Sequence, residues 1–167
     1  RQGFRPQDPA DPTHRAGTPR GDTVVHSYMT SIDTFPVDAT LTEDEGWVRM
    51  LVQFLVSEKD GGASKITFGR TVMPPGARHD VHRHDGADEV VYLAEGRGVA
   101  RNGDEEIPMK KGDVIFSPEG EWHGFWNNSD EPATLIWAWG GAGSKEKAGY
   151  EVARPSPWFG DDKEGKA

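Results

Sequence analysis

Hydrophobic and polar positions alternate in short runs across the middle of the chain, and no sustained helical period is present apart from a short stretch near 144–150. The runs are rich in β-branched and aromatic residues and are separated by Gly, Asn, Asp or Pro, as is typical of strands. Strands are predicted within 47–56, 65–73, 89–96, 97–101, 105–109, 113–118, 121–128 and 133–140. The Asn102-Gly103 pair predicts a tight hairpin turn. Evenly spaced short strands of this kind predict an all-β sandwich or barrel.

The two ends of the chain differ from this middle part. Residues 1–22 are rich in Pro, Gly and charge and lack an apolar period, which predicts a segment ordered only against a partner. The chain begins with Arg1 rather than Met, and Met29 heads a candidate start. We therefore predict a flexible or partner-contacting arm at 1–28, a β-barrel domain at 29–153 and a C-terminal tail at 154–167.

Composition and charge exclude several classes of function. The net charge of -9 and the pI of about 5.1 argue against nucleic acid or an anionic membrane as the main partner, because both attract basic faces. The absence of cysteine excludes disulfides, thiolate metal sites and Cys nucleophiles. No apolar run approaches the roughly 20 residues of a membrane span, and no secretory signal is visible at the N-terminus. These features predict a cytoplasmic protein whose metal ligands, if any, are His, Asp or Glu.

Two of the six histidines lie one residue apart. His82 and His84 project to one face if their segment is extended, because side chains at i and i+2 of a strand share a face. Glu89 begins the next strand and can face back toward them, and His123 is the candidate for a third imidazole. Such a cluster predicts a metal site. His79 precedes it and is placed at its rim.

Two sequence motifs contain these residues. In Gly76–Gly96, a glycine is followed after five residues by His-x-His, then after four residues by Glu and after six more by Gly. In Gly112–Asn127, a glycine is followed after five residues by Pro-x-Gly, then after two residues by His and after three more by Asn. Both patterns resemble the two motifs of the cupin superfamily without departure at a defining position. The resemblance implies a double-stranded β-helix, or jelly-roll, cupin barrel. It also implies that His82, His84, Glu89 and His123 are the four ligands of one divalent metal ion per subunit.

A site of three neutral imidazoles and one carboxylate leaves a divalent ion with net charge near +1 and two adjacent open positions if it is six-coordinate. Fe(II) is our first expectation and Mn(II) the second, while Ni, Zn and Co suit the same ligands. The function predicted first is a non-haem dioxygenase that chelates a small aromatic or carbonyl substrate, such as a catechol, hydroxyketone or diketone. A redox-neutral isomerase, lyase, decarboxylase or cyclase, and a non-catalytic ligand-binding protein, remain alternatives.

Strand alternation predicts which side chains surround the substrate. The residues expected to line an apolar pocket are Met73, Val91, Leu93, Phe116, Phe125 and one parity of 136–139, either Trp137 with Trp139 or Ile136 with Ala138. Trp137 is taken as the pocket residue. His79, Asp80 and Tyr92 are candidates for acid–base or supporting roles, with the Asp80 carboxylate expected to orient a ligand imidazole. Tyr92 alternates to the face opposite Glu89.

A homodimer is expected because an exposed edge strand needs covering. The segment at 23–32, TVVHSYMTSI, is predicted to add a strand to a partner's sheet. The remaining partner expected is the small-molecule substrate.

Overall fold

The computed structural model describes residues 29–158, and their regular secondary structure is almost entirely β. A 3-10 turn at Glu43–Glu45 precedes the strands, and a four-residue helix α1 (Lys145–Ala148) precedes the last one. The strands are β1 (Trp47–Val48), β2 (Leu51–Val56), β3 (Ile66–Met73), β4 (Arg78–Arg83), β5 (Asp88–Glu95), β6 (Arg97–Asn102), β7 (Glu105–Lys110), β8 (Val114–Ser117), β9 (His123–Trp126), β10 (Ala133–Gly140) and β11 (Glu151–Val152). No helix among these described residues is long and apolar enough to cross a membrane.

The strands form two antiparallel sheets. The six-stranded sheet has the order β1-β4-β9-β6-β7, with β11 also paired to β4, and the five-stranded sheet has the order β2-β3-β10-β5-β8. Neighbours in each sheet are often distant in sequence, as expected when a jelly roll winds its chain alternately between two sheets. The predicted all-β, double-stranded β-helix fold is confirmed.

The run predicted as one strand at 47–56 is divided between the two sheets. β1 pairs with β4 in the six-stranded sheet, whereas β2 pairs with β3 in the five-stranded sheet. Between them Arg49 adopts a left-handed conformation with φ 56°, which turns the chain through a corner. The apolar pattern continues through this corner, so it does not reveal the break.

Alternation along β3 and β10 builds the interior of the barrel. Trp137 and Trp139 are buried, whereas Ile136 and Ala138 between them are partly exposed, so the first of the two predicted parities is correct. Trp137 lies opposite Gly69 in the register of the two strands. A Cβ at Gly69 would lie 2.1 Å from the Trp137 ring, so only glycine allows the indole to occupy this place.

The described ends of the chain pack against the barrel. Gln53 on β2 donates hydrogen bonds to the carbonyls of Ile32 and Phe35, which fixes the N-terminal segment beside this strand. At the other end Trp158 is buried and its Nε1 donates to the His79 carbonyl at 3.2 Å. Trp158, in the segment predicted as a C-terminal tail, therefore packs against the barrel. The predicted arm at 1–28 and the rest of the tail lie outside the described residues.

Candidate metal centre

Four side chains from both sheets meet inside the barrel. His82 on β4, His84 just after it, Glu89 on β5 and His123 on β9 bring one ligand atom each to within 4.8 Å of one another. His82 and His123 are direct partners in the β4–β9 register, and Glu89 reaches across from the five-stranded sheet. Its Oε2 lies 2.9 Å from Nε2 of His123, 3.1 Å from that of His84 and 3.9 Å from that of His82.

Each of the three imidazoles is oriented by a backbone carbonyl. Nδ1 of His82 lies 2.8 Å from the Asp80 carbonyl, Nδ1 of His84 lies 2.6 Å from the Gly149 carbonyl, and Nδ1 of His123 lies 2.8 Å from the Glu121 carbonyl. A carbonyl oxygen only accepts, so each Nδ1 carries the proton and donates. The neutral tautomer then leaves the Nε2 lone pair directed at the cluster, as a metal ligand requires.

Contrary to the prediction from the sequence, the Asp80 carboxylate does not orient a ligand imidazole. The backbone of Asp80 orients His82, while its carboxylate pairs with Arg78 at 2.6 Å and Arg154 at 3.1 Å. An irregular register in β4 between His79 and His82 changes the side-chain alternation on which the prediction rested. A bulge of this kind re-aims side chains locally.

The residues fit a divalent cation. Three lone pairs and a carboxylate converge, yet Nε2 of His82 is buried without a hydrogen-bond partner among the described residues. An unpaired buried polar atom costs about 1–3 kcal/mol, and a cation that accepts its lone pair removes that cost. Trp139 Nε1 donates to the Glu89 carboxylate at 3.1 Å and thereby fixes its orientation. A buried three-histidine, one-glutamate site of this kind suits a single metal ion.

The pKa values show how burial and the Glu89 charge compete. Burial holds the pKa of His82 well below its usual value, which keeps this imidazole neutral. Burial also opposes a charge on His123, but the hydrogen bond and charge of Glu89 outweigh it and raise the pKa of His123. For Glu89 itself, burial raises the pKa, but the contacts of its carboxylate with His123 and His84 outweigh burial and hold the pKa well below its usual value. Without a cation, a proton on His123 takes its place in balancing the Glu89 carboxylate.

A cavity opens beside the cluster. Three of the four ligand residues, His82, Glu89 and His123, line this cavity, whose volume is about 40 Å³. The remaining walls are mainly apolar and aromatic and include Trp47, Met50, Val91, Ile115, Phe125, Leu135, Trp137 and Trp139. A bound ion would therefore have its open coordination positions on an apolar chamber.

The predicted pocket residues are only partly in this lining. Val91, Phe125 and Trp137 line the cavity as expected. Met73 and Leu93 are fully buried in the core but are not among the lining residues. Phe116 is 52% exposed on the outer surface, because its neighbours Ile115 and Ser117 take the inward positions of β8. The prediction for Phe116 was wrong because the odd-numbered residues of β8 are the ones whose side chains face the barrel interior.

The remaining candidates, His79 and Tyr92, lie in very different places. His79 lines the cavity and stacks on His82 with ring centroids 3.8 Å apart, so it is deeper than the predicted rim position. Its Nε2 lies 3.0 Å from the hydroxyl of Tyr150, which donates to the Glu45 carbonyl at 2.8 Å. His79 is therefore the donor to Tyr150, and burial lowers the pKa of His79 to about 3. Tyr92 is 40% exposed on the outer face and has no place at the centre.

Three aromatic residues have contacts at the site that the sequence prediction did not assign to them. Trp139 holds Glu89, Tyr150 holds His79, and Trp47 lines the cavity with its ring centroid 4.1 Å from that of His79. The indole Nε1 of Trp47 is buried without a partner among the described residues. Trp139 was recognisable as one of two parities in β10, whereas Trp47 and Tyr150 lie outside both motifs, where the sequence gives no signal for them.

Comparisons with known proteins agree with this geometry. Residues 69–139, which include all four ligand positions, match the family model described as a cupin domain. An oxalate-binding protein of Thermotoga maritima is 36% identical over 63 residues, covering 38% of this chain and 52% of that protein. A gentisate 1,2-dioxygenase of a Ralstonia species is 33% identical over 81 residues, covering 48% of this chain and 22% of that enzyme.

A solved structure extends the likeness to the whole barrel. The crystal structure of a sugar phosphate isomerase of the cupin superfamily from Silicibacter pomeroyi aligns with a TM-score of 0.57 and 25% identity. The alignment covers 67% of this chain and 74% of that one. The chain spans about half of the oxalate-binding protein and a smaller part of the dioxygenase, so neither relative's activity transfers directly. The fold, the matched motifs and the ligand cluster together show that residues 69–139 are a cupin domain.

Proposed function

We propose that the chain is a mononuclear non-haem dioxygenase that acts on a small aromatic or carbonyl compound with two adjacent oxygens. His82, His84, Glu89 and His123 would hold one divalent ion, with Fe(II) expected first and Mn(II) second. The observation that carries the proposal is that three of these four residues line an apolar cavity. A bound redox-active cation supplies Lewis acidity and electrons for O2 chemistry. A site that only stabilises the fold favours a closed shell of protein ligands.

The walls of the cavity favour a substrate with an apolar body. Aromatic rings of Trp47, Phe125, Trp137 and Trp139 surround the space. Arg101 contributes to the lining, but its guanidinium faces Asp104 and Glu106 at 3.7 Å each, so its charge is engaged at the surface. The likeness to a gentisate 1,2-dioxygenase supports the same reaction class.

Three side chains around the cavity would each have a specific role when such a substrate is bound. The Trp47 Nε1 proton, which has no partner among the described residues, would donate to a substrate oxygen, because a buried donor left unpaired is costly. His79 is fixed by Tyr150 and forms the wall next to His82. Trp139 holds the Glu89 carboxylate at the edge of the cavity. The close apolar walls exclude bulk water from the reacting atoms.

The test loads purified protein with Fe(II) under anaerobic conditions and measures O2 uptake with a panel of catechols, hydroxyacetophenones and β-diketones. We expect O2 consumption coupled to loss of at least one substrate in a 1:1 ratio. The Glu89→Gln variant, treated in the same way, is the matched control and should be inactive. Full iron loading without O2 uptake on any compound of the panel would contradict the proposal.

A second candidate is a redox-neutral enzyme or a binding protein for a small bidentate acid. The cavity volume of about 40 Å³ holds about three water molecules, which suits a compact ligand. The likeness to an oxalate-binding protein favours the same class. Calorimetric titration of oxalate into Mn(II)-loaded protein without O2 separates the two candidates. Tight binding without turnover indicates a binding protein, and anaerobic conversion indicates an isomerase, lyase, decarboxylase or cyclase.

A further inference from the structure

His84 differs from the other two ligand histidines in what orients its imidazole. The other two are oriented by carbonyls that lie two residues before them in the chain, so each is held by its own strand or turn. The carbonyl that accepts from Nδ1 of His84, at 2.6 Å, belongs to Gly149, which lies 65 residues later. The orientation of this ligand therefore depends on a segment outside both sequence motifs.

Residues 149–158, which we call the strap, run along one edge of β4. Within the strap, β11 pairs antiparallel with β4. The amide of Ala153 donates to the Val81 carbonyl at 2.8 Å, and the indole Nε1 of Trp158 donates to the His79 carbonyl at 3.2 Å. The main chain of the strand that carries the histidines is therefore bonded to the strap at several successive positions.

Arg154 is the side chain that fastens the strap. Its Nη1 donates to the Asp80 carboxylate at 3.1 Å and its Nη2 donates to the Asp44 carbonyl, so it joins the strap both to β4 and to the turn before β1. The Asp80 residue is buried, with 3% of its surface exposed, and a hydrogen bond between two charged groups is stronger than a neutral one. Because the main chain of Asp80 orients His82, Arg154 also connects the strap to a second ligand.

The turn that follows His84 packs directly against the end of α1, immediately before the strap. The amide of Gly86 donates to the Ala148 carbonyl at 2.9 Å, and a Cβ on Gly86 would lie 2.4 Å from the Lys147 carbonyl oxygen. Two main chains come this close only where no side chain separates them. The distance between Gly149 and His84 is therefore set by main-chain contacts on both sides.

We propose that the strap is a working part of the metal centre and that Arg154 and Trp158 are positioning residues for the metal ligands. This role depends on the proposed function only through the metal site and not through the reaction. A fastened strap keeps the Gly149 carbonyl against His84 and keeps β4 in place, so the ligands are already ordered when the ion binds. Groups that orient metal ligands typically change metal affinity by 10–100-fold, and loosening the strap should therefore weaken metal binding about tenfold.

The charge of Arg154 gives this expectation a sign that electrostatics alone would reverse. A positive charge near a metal site repels the ion, so its removal would strengthen metal binding if charge alone mattered. Loss of positioning weakens binding instead. In an Arg154→Ala variant, Asp80 keeps its ion pair with Arg78 at 2.6 Å, so no buried carboxylate is left without a partner and the barrel should still fold.

The principal test is calorimetric titration of Mn(II) into the metal-free full chain at a temperature where every variant is folded. The Kd for Mn(II) should rise about tenfold in Arg154→Ala, and Arg154→Lys, which keeps a charge that can pair with Asp80, should recover part of the loss. The matched control is Arg97→Ala, which removes an exposed ion pair with Asp130 at 3.2 Å and should keep the wild-type Kd. A residue that only stabilises the fold would leave the Kd of the folded protein unchanged.

A second measurement uses the milder variant Trp158→Phe, which keeps an aromatic ring and removes only the donor to the His79 carbonyl. The visible absorption of bound Co(II), which reports coordination geometry, should change in Trp158→Phe and in Arg154→Ala but not in Arg97→Ala. An unchanged or lower Kd in Arg154→Ala, or an equal rise in Arg97→Ala, would overturn the proposal. A wild type that binds neither ion would overturn it together with the metal site. A tenfold rise in Kd in a protein that shows no O2 uptake would support the role of the strap and contradict only the dioxygenase.

Discussion

At the scale of single residues, the metal centre is organised by main-chain oxygens. The carbonyls of Asp80, Glu121 and Gly149 each accept a hydrogen bond from the Nδ1–H of a ligand imidazole. The tautomers therefore depend on the path of the backbone, and replacing the Asp80 or Glu121 side chain would leave the acceptor in place. Buried indoles complete the surroundings of the site, and one of them, Trp47, has a donor without a partner among the described residues.

The Trp47 donor leads to a prediction about substrate affinity. Trp47→Phe keeps an aromatic ring beside His79 but removes the N–H. If this N–H holds a substrate oxygen, its loss should weaken binding by about 1–1.5 kcal/mol, roughly tenfold in Kd. The measurement is the Kd of a chelating ligand found in the panel, with metal content as the control. An unchanged Kd would remove Trp47 from the binding site.

His79 leads to a prediction about pH. Its pKa is about 3 in the folded protein and about 6.5 when unfolded. As the pH falls below 6.5, the unfolded chain gains a proton that the native protein does not, so stability present above pH 6.5 is lost progressively down to about pH 3. Between pH 5.5 and 4.5 this histidine costs about 1.4 kcal/mol of stability. Urea unfolding with chelator present should show that His79→Phe loses about this much less than the wild type. Parallel pH profiles for the two proteins would contradict the prediction.

At the scale of secondary-structure elements, β4 concentrates the chemistry. It is paired with β9 along one edge and with β1 and β11 along the other, and its irregular register brings both His79 and His82 to the interior. In the five-stranded sheet, the β3–β10 pair has a comparable constraint, because Trp137 packs over Gly69 and donates to Thr71 Oγ1 at 3.0 Å. This packing fixes one wall of the cavity.

The β3–β10 packing predicts that replacing glycine by alanine lowers stability at Gly69 but not at Gly140. Gly69→Ala places a methyl group against the Trp137 ring and should lower the free energy of unfolding by about 1–3 kcal/mol through overpacking. Gly140→Ala, at the end of β10, meets no atom within 4 Å and should change stability by less than about 0.5 kcal/mol. Chemical denaturation of the two variants provides the measurement. Equal effects would show that the indole is not held as described.

At the scale of the whole molecule, the ligands join the two sheets. The histidines belong to the six-stranded sheet or its adjoining loop, whereas Glu89 belongs to the five-stranded sheet. A cation held by all four residues would therefore act as a crosslink through the barrel. Binding to the native state alone raises stability according to the ratio of free metal to Kd.

This crosslink predicts a stability gain on metal loading. At a free metal concentration 100 times Kd, the free energy of unfolding should rise by about 2.7 kcal/mol, and chelation should reverse the gain. Glu89→Gln keeps the shape of the side chain but removes its charge, so most of the gain should disappear. Thermal unfolding with and without Mn(II) measures both proteins. A wild type with the same stability in metal and in chelator would contradict the proposed site.

Much of the fold was predictable because the alternation of β5 and β10 and the turn residues are local signals. The ligand cluster was also recognisable, since both motifs contain their defining residues. The Arg49 corner, the β4 irregularity and the inward parity of β8 were not, because each depends on pairing between strands distant in sequence. Trp47 and Tyr150 illustrate the same limit, since they reach the site only through the closure of the barrel.

The strand β5 places unlike residues on its two sides, with Glu89 facing the proposed metal and Val90 facing the outer surface. Because successive residues alternate, inserting one amino acid just before Glu89 would exchange these directions. The carboxylate would then be carried to the surface and a valine would be turned into the chamber. A change in the length of β5 is thus more damaging than a substitution at one of its outward positions, and the turns at its two ends cannot take up the shift, because Gly86 and Gly96 lie against the backbone of other segments.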